Sequence, residues 1–277
     1  MTNREAYDFC RQQLRGIYPD SEADAITTRL FDEAYKLDRT KMIISAHQSF
    51  NHGGAMEIHL KRLLQSEPIQ HILGYEWFGG LKIRVNSSVL IPRPETEELL
   101  EWLMGKIDCK GKRVADVCTG SGCIAMYVRS RCQDAKIFAT DVSTAALATA
   151  LESEQQNFTD CKIQWLEHDI LNEDWLVDWP EVVICNPPYI GKDEAYLMTE
   201  NVMSFEPHLA LFVEDADTLL FYKRVIEVFA KGVLPSIFFE LNPLTADALS
   251  DYCLSNGFKM ETGKDMQGKI RFALITR

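Results

Sequence analysis

The sequence predicts an α/β fold: a doubly wound, mostly parallel sheet of seven strands, with a small all-helical domain ahead of it and a β-hairpin between the two. Three observations predict it. From residue 112 onward, short apolar runs alternate with stretches of helical periodicity. The first 75 residues carry helical spacing alone. Between them, aromatic Tyr75, Trp77 and Phe78 precede Gly79-Gly80 and then the alternating Leu81, Ile83 and Val85, the pattern of a hairpin. The predicted divisions are a helical domain over 1–75, a hairpin junction over 76–91 and a larger domain over 92–277.

In chain order, apolar residues at 23, 26, 30, 34 and 37 predict a helix from Glu22 to Lys36. Asp38 is placed to cap a short helix running through Ile44, and Ala55 to Leu64 has the pattern of another. Pro68 opens a further turn that Gly74 ends. After the hairpin, IPRPETEELLEWL brackets Arg93 between Pro92 and Pro94 and continues as a helix with an acidic first turn. Strands are then predicted over 112–117, 136–140, 162–166, 181–185, 235–241, 258–262 and 270–276. Helices are predicted over 121–131, 144–156, 218–231 and 245–255. Such alternation implies helices on both faces of the sheet.

Composition narrows the function classes. At 277 residues, with 46% hydrophobic and 25% charged residues, the chain has the make-up of a soluble globular protein. No run approaches the roughly 18 apolar residues of a membrane helix, and MTNREAYDFC is no secretory signal. Eight scattered cysteines without a CxxC pair indicate reduced thiols, no metal site and a cytoplasmic setting. Net charge is −12, unevenly placed: residues 1–75 carry nine Lys/Arg against ten Asp/Glu, and residues 76–277 carry 20 against 31. Binding to polyanionic nucleic acid needs clustered cations, which this larger portion lacks. A monomer is the expected state.

Four features fall at the carboxyl ends of successive predicted strands, where open α/β sheets bind ligands. The first is DVCTGSG, in which Cys118, Thr119, Gly120, Ser121 and Gly122 form a turn between a strand and a helix. It lacks both the GxGxxG pattern and the P-loop lysine, and its strand-end Asp116 suits a cationic or hydroxyl-bearing ligand better than a pyrophosphate. The bland alternative is helix–strand packing. The second is Asp141, able to take both hydroxyls of an adenosine ribose, with a helix cap as the competing role that Ser143 could fill instead. The third is His168-Asp169-Ile170: Asp169 suits an adenine amino group and Ile170 its ring face, while a lone His168 is left aside. The fourth is Asn186-Pro187-Pro188-Tyr189. Two prolines remove two N–H donors and leave rigid carbonyls beside a primary amide and a phenol. An isolated Asn-Pro would be a capped turn; in register with the other three features it is a candidate acceptor site.

DVCTGSG followed by NPPY resembles the class I S-adenosylmethionine-dependent methyltransferases that act on planar amide or amino nitrogens. The stretch PIQHILGYEWFGGLKIRVNSSVLIPRPETEELLEW over 68–102, FEPHLAL over 205–211 and DMQGKIR over 265–271 look like the protein-(glutamine-N5) methyltransferases of class I peptide chain release factors. The resemblance covers nearly the whole chain and implies a Rossmann-like methyltransferase sheet. By it, S-adenosylmethionine lies against residues 118–122, with Asp141 on the ribose, Asp169-Ile170 near the adenine and Asn186 adjoining. Asn186, Pro187, Pro188 and Tyr189 hold the glutamine of the release factor's Gly-Gly-Gln loop. The helical domain recognises the release factor body. Two departures stand out: Cys118 replaces the usual first glycine, and Ile170 stands where some relatives carry an aromatic.

For such a substrate, Asn186, Pro187 and Tyr189 are the expected catalytic residues. An amide nitrogen is a poor nucleophile because its lone pair is shared with the carbonyl. The Asn186 side-chain oxygen and the Pro187 carbonyl would each accept one amide N–H, orienting the nitrogen and stabilising the positive charge that grows on it. Tyr189 would stack on the amide plane. No strong general base stands in the motif, so positioning and electrostatics carry the expected catalysis. The alternative is amino-group methylation of DNA or RNA, since adenine offers a similar planar NH₂; the charge balance counts against it. A non-catalytic binding module is the third possibility, and an intact NPPY and Asp141 oppose it.

Overall fold

A computed structural model of the chain describes residues 1–213 and 217–277. Two compact units emerge, residues 1–75 with 199–205, and residues 76–198 with 206–277. The segment 199–205, predicted as part of the larger domain, thus groups with the N-terminal helices.

The first unit contains α1 (Asn3–Leu14), α2 (Asp20–Glu33), α3 (Arg39–Ile44), α4 (Gly53–Leu63) and α5 (Ile69–Leu73). α1 lies ahead of the first helix that apolar spacing predicts. Its signal is a capping box, in which Thr2 accepts from the Glu5 N–H and the Glu5 carboxylate accepts from the Thr2 N–H. Asp38 caps α3 through the Lys41 N–H, and Gly74 ends α5 in the left-handed conformation, both as the sequence predicts. The core is built from Ala6, Cys10, Leu14, Leu30, Phe31 and Leu63, all fully buried.

The second unit opens with β1 (Tyr75–Phe78) and β2 (Leu81–Arg84), closed by Gly79 and Gly80 at φ 56° and 81°. A Cβ on Gly79 would stand 2.3 Å from the Tyr127 ring, so the turn needs glycine for space as well as backbone. The hairpin is shorter than the predicted 76–91, because Asn86 turns the chain by accepting the Ser88 N–H. There follow α6 (Pro94–Lys106), β3 (Arg113–Val117), α7 (Cys123–Arg131), β4 (Lys136–Asp141), α8 (Thr144–Asn157), β5 (Gln164–Glu167) and β6 (Val182–Cys185). Next in the chain is α9 (Glu200–Phe205), which belongs to the first unit; the second continues with α10 (His208–Leu211), α11 (Leu220–Ala230), β7 (Ser236–Glu240), α12 (Ala246–Ser255), β8 (Lys259–Lys264) and β9 (Ile270–Thr276).

The sheet order is β5-β4-β3-β6-β7-β9-β8, parallel except for β9, which runs against both neighbours. β5 begins two residues later than predicted because the Glu154 carboxylate accepts the N–H groups of Lys162 and Ile163 at 2.8 and 3.0 Å. β6 is buried along its whole length, and β3 and β7 along all but their first residue, as expected where helices cover both faces of a parallel sheet. Leu99, Leu103, Ile124 and Val128 of α6 and α7 pack one face; Tyr222, Val225, Phe229 and Leu249 of α11 and α12 pack the other. The chain leaves β3 toward β4 and β5 and later returns to β6 on the other side, so strand order reverses between β3 and β6. A crevice opens at such a reversal.

Candidate active site

The register at this crevice sets Val117 level with Cys185, so Cys118 and Asn186 leave their strands side by side. Cys118 (φ 60°), Gly120 (φ 54°) and Gly122 (φ 78°) are all left-handed, which folds the turn tightly over the start of α7. Cys118 does this with a Cβ, a conformation glycine adopts at lower cost. Gly122 faces away from the crevice: a Cβ there would meet Trp165 at 2.6 Å and Ala150 at 2.8 Å. Its place in the turn is helix–strand packing.

Beneath the turn, Asp116 is fully buried and accepts from the Thr119 hydroxyl and from the Ala125 N–H at 3.0 Å. Burial pushes its carboxyl up to about 7. Asp141 at the end of β4 accepts the Gly120 N–H at 2.8 Å and the Ser143 N–H at 2.9 Å, so its carboxylate pins the glycine turn while lining the cavity. Ser143 is the cap of α8, accepting from Ala146. Burial raises the Asp141 carboxyl from its ordinary value. After β5, Asp169 accepts from the Leu171 N–H and the Asn172 amide at 2.9 and 2.7 Å, and Ile170 is buried. His168 also lines the cavity, its ring edge-on to Trp175, with no hydrogen-bond partner for either ring nitrogen among the described residues.

These residues enclose a cavity of about 320 Å³. Cys118, Thr119, Gly120, Ser121, Asp141, Asp169, Ile170, Asn186 and Pro188 of the sequence-predicted set form its walls. Gly122, Pro187 and Tyr189 do not. Pro187 lies between two wall residues. The Tyr189 hydroxyl turns inward and donates to Glu240 at 3.2 Å, and burial raises its phenol above its ordinary value.

Four residues without a role in the sequence reading support the site. Glu240, ending β7, is a buried carboxylate that accepts from the Thr96 hydroxyl at 2.6 Å and the Asn186 amide at 3.0 Å. The Asn186 amide also donates to Thr96 at 3.2 Å, and no described residue donates to its oxygen. Arg93, another lining residue, pairs with Glu206 at 2.6 Å, and the second Glu206 oxygen accepts the Ile91 N–H at 3.0 Å. Arg93 and Thr96 belong to LIPRPETE and Glu206 to FEPHLAL; the two stretches are bound to each other, which gives their joint presence a structural reason. For Glu240 the available signal was an acid closing an apolar strand at the same sheet edge as Asp116 and Asp141.

Known proteins resemble this chain in sequence and in fold. The methyltransferase small domain family matches residues 94–207. A release factor glutamine methyltransferase of Flavobacterium psychrophilum is 35% identical over 273 residues, 95% of each chain. One from Bacteroides thetaiotaomicron is 33% identical, covering 97% of this chain and 98% of that protein. Among solved structures, the hMettl16 catalytic domain in complex with the MAT2A 3'UTR hairpin 6 shares the fold at 18% identity, with a TM-score of 0.54 over 71% of this chain and 75% of that one.

Proposed function

This chain belongs to the release factor glutamine methyltransferase family, and from that premise we propose that it transfers a methyl group from S-adenosylmethionine to the side-chain amide nitrogen of the Gly-Gly-Gln glutamine in class I peptide chain release factors. One observation carries the reading to chemistry: the amide nitrogen of Asn186 is directed into the protein, toward Glu240 and Thr96, leaving its oxygen as the group available to a substrate N–H.

The cavity residues fit the cofactor. The walls combine buried apolar Ile124, Ala146 and Ile170 for an adenine ring with the Asp141 carboxylate, whose remaining lone pairs suit ribose hydroxyls. When bound, the cofactor supplies an electrophilic methyl on a sulfonium. Gly120, pinned by Asp141, keeps backbone close to the ligand without a Cβ in the way. Asn186 Oδ1 and the Pro187 carbonyl accept the two N–H bonds of the target amide, holding its nitrogen lone pair in line and favouring the charge it acquires. The proton leaves the nitrogen for water after the new N–C bond has formed; a planar amide regains its resonance by losing it. Tyr189 and Pro188 border the amide, and the helical unit is where recognition of the release factor body is placed.

The test is mass spectrometry of a bacterial class I release factor incubated with the enzyme and S-adenosylmethionine. A gain of one methyl on the Gly-Gly-Gln peptide is expected, with no gain when that glutamine is replaced by alanine. Bulk ribosomal RNA and DNA, assayed in parallel, remain unlabelled; label in them with none in the release factor would reject the protein substrate.

A further inference from the structure

A primary amide is nearly symmetric in shape, so packing alone hardly distinguishes its oxygen from its nitrogen. At Asn186 the distinction decides the chemistry. With the oxygen outward the side chain accepts a substrate N–H; with the nitrogen outward it opposes the substrate NH₂ with a second donor. Something inside the protein has to select the orientation.

We propose that Glu240 is a positioning residue for Asn186: its buried carboxylate, closed around by Thr96, Asn186 and Tyr189, locks the Asn186 amide with its oxygen toward the substrate nitrogen. This rests on the glutamine-amide reading above and concerns how the same site is set.

The parallel register of β6 and β7 puts Cys185 level with Phe239, so Asn186 and Glu240 are the next residues along and lie adjacent. An ionised carboxylate only accepts. Its Oε2 takes the Asn186 amide N–H at 3.0 Å and the Thr96 hydroxyl at 2.6 Å, and its Oε1 takes the Tyr189 hydroxyl at 3.2 Å. Because Thr96 spends its proton on Glu240, its oxygen is left to accept from Asn186, which it does at 3.2 Å. Every donor direction in this cluster therefore agrees with the others. Turning the amide over would bring Asn186 Oδ1 against Glu240 Oε2 and face the Thr96 oxygen with another oxygen, two acceptor–acceptor contacts in a site with no water-exposed relief: Glu240 and Thr96 are each 2% exposed. A charged group withdrawn this far is costly to keep where packing alone is required, and two of its three donors, Asn186 and Tyr189, belong to the substrate-facing motif. Tyr189 is held by the same carboxylate, so one buried acid sets two of the four NPPY residues.

Three substitutions separate this role from others, measured in full-length enzyme on a release factor that the unaltered protein methylates. Glu240→Met keeps the volume and removes the acceptor. Its kcat is expected to fall roughly tenfold to a hundredfold, the effect of one lost buried hydrogen-bond partner, while the release factor KM and the S-adenosylmethionine Kd by calorimetry stay within about threefold. Glu240→Gln retains an acceptor oxygen for Asn186 and Thr96 and turns its nitrogen to the Tyr189 oxygen; kcat is expected within about threefold of the unaltered enzyme, a rescue by the conservative change. In the ligand-free protein, the Asn186 side-chain NH₂ resonances shift and lose exchange protection in Glu240→Met and keep them in Glu240→Gln. An unchanged kcat in Glu240→Met overturns the proposal, as does an equal loss in both variants, which would assign the effect to charge. Should Glu240→Met fail to fold, Thr96→Val carries the test by the same kcat loss and resonance shift, and its full activity would reject the lock. Failure of the unaltered enzyme to label a release factor rejects the substrate reading alone, since the Asn186 resonances report the orientation without any substrate.

Discussion

At the scale of single residues, one position in the ligand turn and one beneath it store energy that substitution should release. Cys118 holds φ 60° with a side chain in place of the usual glycine. A left-handed non-glycine residue costs about 1 kcal/mol, while its thiol packs against the cluster containing Cys185 and gives part of that back. Cys118→Gly is expected to leave stability unchanged or raise it by up to about 1 kcal/mol, read as the urea midpoint at constant slope. Asp116 is the second. Burial raises its carboxyl from 3.8 to about 7, so the folded state holds a proton that the unfolded chain releases. Its stabilising contribution is therefore complete below pH 3.8 and is lost as pH rises through 7. The expected outcome is that stability of the unaltered protein, relative to Asp116→Asn, declines between pH 4 and 7 by up to about 1.4 kcal/mol per pH unit. Denaturation curves at several pH values across that window check it, and parallel curves for the two proteins would refute the assignment.

At the scale of elements, the strand ends were legible because each carries a local signal: an apolar run, then Asp, Asn or glycine. The capping of α3 by Asp38 and the end of α5 at Gly74 were equally local. What escaped was set by partners distant in sequence. β5 starts late because Glu154 on α8 claims two of its N–H groups. Gly122 serves packing because Trp165 and Ala150 lie over it, which no spacing within DVCTGSG reveals. Glu240 reads as one more acid until β6 and β7 are placed side by side. The LIPRPETE and FEPHLAL stretches were recognisable by resemblance, yet their joint purpose needed the Arg93–Glu206 pair. That pair carries a prediction of its own. Glu206→Ala strands the Ile91 N–H and leaves Arg93, a third exposed, without its partner. A loss of about 2 kcal/mol in unfolding free energy is expected, less than for a fully buried ion because solvent reaches the guanidinium. A change below about 0.5 kcal/mol would remove the clamp from the account of this fold.

At the scale of the whole molecule, the acidity concentrates in one portion, 31 Asp/Glu against 20 Lys/Arg over residues 76–277, and three of those acids, Asp116 and Glu240 buried and Asp141 half-buried, stand at one sheet edge. Asp116 near the end of β3, Asp141 at the end of β4 and Glu240 at the end of β7 share the carboxyl edge of the sheet, so the crevice is built on carboxylates that accept hydrogen bonds from its own turn and its own substrate-facing motif. Such a floor favours a ligand with hydroxyls and a positive centre over a polyphosphate, which is the whole-molecule counterpart of the missing P-loop lysine. Among the described residues no helix is long and apolar enough to cross a membrane.

The two partners of Asn186 also have a bearing on how the enzyme comes into being. Thr96 precedes it by 90 residues and Glu240 follows it by 54. A ribosome making this chain therefore delivers NPPY well before the carboxylate that orients its asparagine. A nascent chain stalled short of β7 would present DVCTGSG, LIPRPETE, NPPY and FEPHLAL and still lack a defined amide direction. Competence arrives in synthesis with the strand that closes on Glu240, so the growing polypeptide acquires its reactivity late, after most of its sheet has been laid down.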